Sequence, residues 1–248
     1  MKRKKRMLAA LILVLVFLTT ACSPQMENNS PVSETALKAR QEALMQKSAV
    51  IEAEKYRLYE NLSRDSIYPE FYASVELQKA EGKSEREAAK NASFKIMERQ
   101  ALCWYAGEQG IELTDSEIKE RMKEKLTELK EAENYEKLEA LYQQEGISLE
   151  DSLRADEHLY RQTCVIDELY FQTQEQYNRG ELTDEEVLDW EKYWKGLVQD
   201  ITKRYQRTEY DAAAGKRLRT CEKLIPYNTT NNLDKLKQAD TRLYDMFH

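Results

Sequence analysis

"GIELTDSEIKE", Gly110 to Glu120, joins the end of one helix to the start of another. The glycine is a helix stop, Ile111 to Leu113 is a short extended step, and Thr114 is an N-cap. Glu117, three residues on, completes a capping box that satisfies two orphan N–H groups, worth about 1 kcal/mol. The same grammar recurs in "GISLEDSL" (Gly146 to Leu153) and "GELTDEEV" (Gly180 to Val187), with Ser148 and Thr183 as caps. With 7 Gly and 4 Pro in 248 residues, the chain has too few turn formers for a β-rich fold. The expected class is therefore all-α.

Working outward from the joint, Ser84 caps a helix whose small residues, Ala88 and Ala92 among them, let a second helix approach closely. After Thr114 a helix runs to about Ala132, "NYEKLEALYQQEG" forms a shorter one, and Ser148 opens a helix to about Asn178. Leu149, Leu153, Tyr160, Cys164 and Phe171 form one flank of it, with Leu159, Ile166 and Tyr170 alongside, a stripe broad enough for the centre of a bundle. Thr183 opens a last long helix with a stripe of Val187, Trp190, Trp194, Leu197, Ile201 and Tyr205. Near the start, Ser33 to about Ser63 reads as a long helix with Leu37, Leu44, Ile51 and Leu58 seven apart, too thin a seam for a coiled coil without a partner surface. Between these, "SIYPEFYASVELQKAEGKS" breaks helix at Pro69 and again near Gly82.

The N-terminus indicates an address. Lys2 to Arg6 are basic and Met7 to Leu18 is an apolar run too short to span a bilayer, the pattern of an export signal. "LTTAC" then resembles a bacterial lipobox, with Thr19 where leucine is preferred. This implies a signal peptide over 1–21, acylation of Cys22, a polar tether over 22–32, a helical domain over 33–222 and a tail over 223–248. The expected location is the extracytoplasmic face of a membrane, held by lipid. The five basic residues of the signal account for the difference between −7 for the whole chain and −12 after residue 21. An acidic chain of this kind is not a nucleic-acid binder. The charge is uneven: Glu112 to Glu157 holds fifteen acids and seven bases, whereas Lys192 to Arg219 holds eight bases and three acids. The simplest expectation is that the C-terminal helix docks on the acidic part. A basic strip facing lipid or wall is the alternative.

Chemistry is sparsely represented. The histidines are His158 and His248; there is no CxxC, no paired histidines at helical spacing, and no Gly-rich phosphate loop. Asp184, Glu185 and Glu186 fall where a helix dipole favours negative charge. No cofactor, metal or catalytic residue is expected, and the chain is read as a non-enzyme. Cys103, Cys164 and Cys221 read as buried apolar fillers, with one disulfide permitted by the location but demanded by no spacing.

Two stretches carry a family resemblance. "ERQALCWYAGEQGIELTDSEIKERM" resembles the core of the SurA/PrsA-type N-terminal chaperone domain through Ala106, Gly110, Ile111, Leu113, Thr114, Glu117 and Ile118. "YEKLEALYQQEGISLEDSLRADEHLYRQTCVIDELY" is similar to its next segment through Tyr135, Leu138, Leu141, Gly146, Ile147, Ser148, Leu153 and Arg154. About a third of the chain is covered. The parvulin isomerase domain that commonly follows has no counterpart, and the usual Asn-Gly entry segment is replaced by "SETALKARQEAL". The resemblance implies an elongated helical chaperone domain, with long first and last helices closing on each other to form a cradle, and no prolyl isomerase activity.

The function expected is a membrane-anchored holdase for non-native exported polypeptides. Tyr68, Phe71, Tyr72, Trp104, Tyr105, Tyr142, Tyr160 and Trp194 are the client-contact candidates, since aromatic rings with a polar handle meet many sequences. The alternative is an adaptor lipoprotein recognising one folded envelope partner. Whether the chain pairs with a second copy is left open by the sequence.

Overall fold

The computed structural model describes residues 34–62, 66–182 and 189–208, and among these it is entirely helical. Residues 1–33, the cap expected at Thr183, Cys221 and the 223–248 tail lie outside the described residues. The helices are α1 (Glu34–Asn61), α2 (Tyr68–Ala80), α3 (Glu85–Glu108), α4 (Asp115–Lys130), α5 (Tyr135–Gln144), α6 (Leu149–Ala155), α7 (Glu157–Asn178) and α8 (Trp190–Tyr205). The chain divides into two compact units, Met1–Gln41 and Glu42–His248. The second holds the helical body described below.

The joints have the expected geometry. At Gly110 the backbone turns left-handed at φ +72°, and Ile111 N–H reaches back to the Ala106 carbonyl at 2.9 Å, closing the end of α3. Thr114 and Glu117 then exchange both bonds of a capping box, and Ser148 and Asp151 do the same at α6. Ser84 Oγ accepts from Glu87 N–H at the start of α3.

Three differences from the sequence reading have local causes. Pro69 does not only break helix; it sits in the first turn of α2, where its missing N–H costs nothing. The helix from Ser148 to Asn178 is two, since Asp156 ends α6 and begins α7. The last helix does not run unbroken from Thr183: Asp189 is non-helical, and its carboxylate accepts from Glu191 N–H to cap α8.

α3 is the central element, packing against α2, α7 and α8. Its first half builds one core with Leu58, Tyr68, Phe71 and Val75, where Ala88 and Ala92 are fully buried and let α2 approach. Its second half builds another from Ala101, Leu102 and Ala106 with Ile111, Leu169, Ile201 and Tyr205, and Met97 is packed against both. Burying side chains the size of Phe71, Ile96, Leu169 or Ile201 contributes about 1.5–3 kcal/mol each. α8 has α3 as its principal neighbour rather than the acidic helices α4 to α6, and α1 and α8 are not principal neighbours of each other. The C-terminal half of α1 is instead pinned to the segment from α5 to α7 by polar contacts. Arg57 donates to the Glu145 carbonyl at 2.7 Å, Ser152 hydroxyl to Glu52 at 3.2 Å, and Lys55 pairs with Asp156 at 2.5 Å.

Candidate functional site

The most distinctive surface is aromatic and lies where α7, α8 and the end of α3 meet. On α8, Trp190, Tyr193 and Trp194 are spaced three and four residues apart and so share a face. Trp190 is stacked with both of the others, at centroid distances of 5.8 and 5.9 Å and interplanar angles of 26° and 29°. Across from them on α7, Tyr170 and Tyr177 are seven apart. Tyr170 stands nearly perpendicular to Trp190 and Trp194, at 5.2 and 5.0 Å, and its hydroxyl accepts from the Trp190 indole N–H at 2.6 Å. Tyr177 meets Trp190 and Tyr193 at 5.3 Å. Phe171 extends the row from Tyr170 and is 42% exposed.

At the other end the row passes to α3. Burial, and then the neighbouring Tyr105 phenol, raise the pKa of Tyr193. Trp104 packs on Tyr205 at 5.9 Å. Over Trp104 and Tyr105 lies the Arg204 guanidinium, 5.6 and 5.5 Å from the two ring centroids. Tyr105, Tyr170, Tyr177, Trp190, Tyr193 and Trp194 are all half-buried. Edge-to-face and offset contacts of this kind hold the rings in place, so the belt costs little further ordering when something binds to it.

Of the eight predicted contact residues, the structure brings Trp104, Tyr105 and Trp194 into this belt. Tyr68 and Phe71 do not belong to a contact surface: at 2% and 0% exposure they are core, because the first turn of α2 is folded under Leu58 and α3. Tyr72 is half-buried on the edge of that core. Tyr142 lies elsewhere, near Glu52, Lys55 and Asp156, its phenol pushed up first by burial and then by the Glu52 charge. Tyr160 is committed to the fold through its hydroxyl, which donates to the Arg121 carbonyl at 2.9 Å. Sequence reasoning missed Tyr170, Phe171, Tyr177, Trp190, Tyr193 and Arg204 as a group. The usable signal was the pairing of Tyr170 and Tyr177, one heptad apart, with the Trp-x-x-Tyr-Trp run.

Among the described residues no cluster of three or more His, Cys, Asp or Glu is placed to hold a metal, and no helix is long and apolar enough to cross a membrane. Cys103 and Cys164 are free thiols, and burial raises both, Cys103 to about 11. His158 is half-buried, edge-on to Tyr59 at 5.4 Å, and burial lowers its pKa. No family model, curated protein or solved structure matches the chain.

Proposed function

We propose that the protein is a membrane-tethered extracytoplasmic holdase, which binds extended or partly folded segments of exported polypeptides without bond chemistry. The observation that carries this reading is the half-exposed aromatic belt of α3, α7 and α8. Half-exposed Trp and Tyr side chains, large and apolar with a polar group at one end, suit contact with many sequences rather than one. The helix–glycine–cap joints at Gly110 and Gly146 support the SurA-like character of the domain, and the export signal and lipobox-like "LTTAC" support a lipid tether at Cys22.

The test is light scattering of two unrelated denatured proteins diluted into buffer with the chain from Ser23 onward at near-equal molar ratio. The holdase suppresses aggregation of both. Suppression of neither refutes this reading in favour of an adaptor for one folded partner.

A further inference from the structure

Arg204 is exposed, with its guanidinium held over two aromatic rings. The acid one turn before it on α8, Asp200, pairs with Lys203 at 3.3 Å instead. Among the described residues no carboxylate is paired with Arg204; its guanidinium lies over Trp104 and Tyr105. A guanidinium resting on ring faces keeps its edge N–H donors outward, in the fork that matches a carboxylate. Its surroundings on α8 favour the same ligand. Lys203 and Arg207, one residue before Arg204 and three after, are exposed on the helix and its continuation, and Asp200 is already paired with Lys203. Elsewhere acids predominate, as in the stretch from Glu112 to Glu157.

We propose that Arg204 gives the aromatic belt its selectivity, so that the segments it prefers are apolar and aromatic stretches carrying an Asp or Glu carboxylate. This rests on the polypeptide-binding reading of the belt. The rings take the apolar side chains, and the carboxylate beside them accepts two N–H bonds from a guanidinium that needs no reordering to donate them. A basic segment meets Arg204 and Arg207 as like charge and is disfavoured.

The experiment uses the full chain in nanodiscs of phosphatidylcholine and fluorescein-labelled ten-residue peptides with two phenylalanines. The peptides are identical except for one central Asp, Asn or Lys, and binding is read by anisotropy. At a solvent-exposed rim the Asp peptide is expected to bind about three- to five-fold more tightly than the Asn peptide. The Lys peptide is expected to bind more weakly than either. Arg204→Gln removes the discrimination while leaving the Asn peptide's affinity in place. Arg204→Lys, which keeps charge but loses the planar fork, restores only part of it. Lys192→Gln retains it. Circular dichroism melting confirms that each variant is folded.

Equal binding of the Asp and Asn peptides, or discrimination that survives Arg204→Gln, overturns the assignment of Arg204 while leaving polypeptide binding standing. Binding of none of the three peptides overturns polypeptide binding itself, and the selectivity with it.

Discussion

Lys55 Nζ lies 2.5 Å from Asp156 Oδ2, at the junction where α6 ends and α7 begins without a glycine. Lys55 is 6% exposed and its ammonium is also paired with Glu52. Burial pushes its pKa down, but the two carboxylates more than reverse this and hold it above the ordinary lysine range. The ion pair thus ties the first described helix to the point where the chain bends.

Lys55→Met is expected to cost about 3 kcal/mol in urea unfolding, because removal of one partner strands carboxylates in a low-dielectric site. Adding Glu52→Gln and Asp156→Asn should recover most of that loss. Since the folded pKa is raised, the stabilisation is complete below about pH 10.4, the unfolded value, and is lost only above it. A loss under about 1 kcal/mol for the single variant would show the pair to be screened.

Gly110 and Gly107, one turn apart, should respond to alanine with opposite signs. Gly110 has φ +72° and open space around its Cβ position, so Gly110→Ala meets backbone strain alone, about 1 kcal/mol of destabilisation. Gly107 is inside α3, also with open space, and Gly107→Ala should stabilise by about 0.5–1 kcal/mol. Thermal melts that move the same way for both would contradict the assignment of the helix end between them.

Capping chemistry made much of this fold legible. Thr114 with Glu117 and Ser148 with Asp151 announce helix starts through their own side chains, and Gly110 and Gly146 announce stops through a conformation few other residues adopt. The break at Asp156 was not legible, because it is tied to Lys55, 101 residues away. Burial of Tyr68 and Phe71 was hidden for a related reason: α2 has apolar residues around much of its circumference, and which side becomes core depends on where α3 lies. The belt was half visible, since the rings of α8 share a face in sequence while their partners on α7 and α3 come from tertiary packing.

His158 should make stability fall on mild acidification. Its folded pKa is lowered by burial, against the Asp156 and Glu70 charges that raise it and with Arg99 and Lys55 that lower it further. The unfolded chain, at about 6.5, binds the proton first, so this contribution is present above about pH 6.5 and lost below it. Burial raises the carboxyl pKa values of Glu98 and Asp167, which act in the opposite sense. The informative quantity is therefore a difference: between pH 7.5 and 5.5 the melting temperature of the native chain should drop further than that of His158→Gln. An equal or larger drop in the variant would assign the acid sensitivity elsewhere.

The thiol of Cys103, pushed up to about 11 by burial, should be sluggish. At pH 8 roughly one in a thousand of such thiols is ionised, against about a quarter for a free cysteine. In the chain from Ser23 with Cys164→Ser and Cys221→Ser, reaction with Ellman's reagent should run at least about a hundred-fold slower than in urea. Fast labelling in the native state would show that the site opens readily.

Phe71 and Phe171 separate folding from binding most cleanly. Phe71 is fully buried between α2 and α3, and Phe71→Ala should cost about 3–5 kcal/mol, leaving a chain that melts early and loses every activity together. Phe171 is 42% exposed at the end of the belt, edge-on to Tyr170 at 5.6 Å. Phe171→Ala should change stability by about 0.5 kcal/mol or less while weakening aggregation suppression. Trp194→Ala falls between, because that ring both packs on the second core and faces the belt. A Phe171→Ala chain that melts normally and suppresses aggregation as well as the native chain would exclude that end of the belt from client contact, and restrict the binding surface to the rings around Trp190 and Arg204.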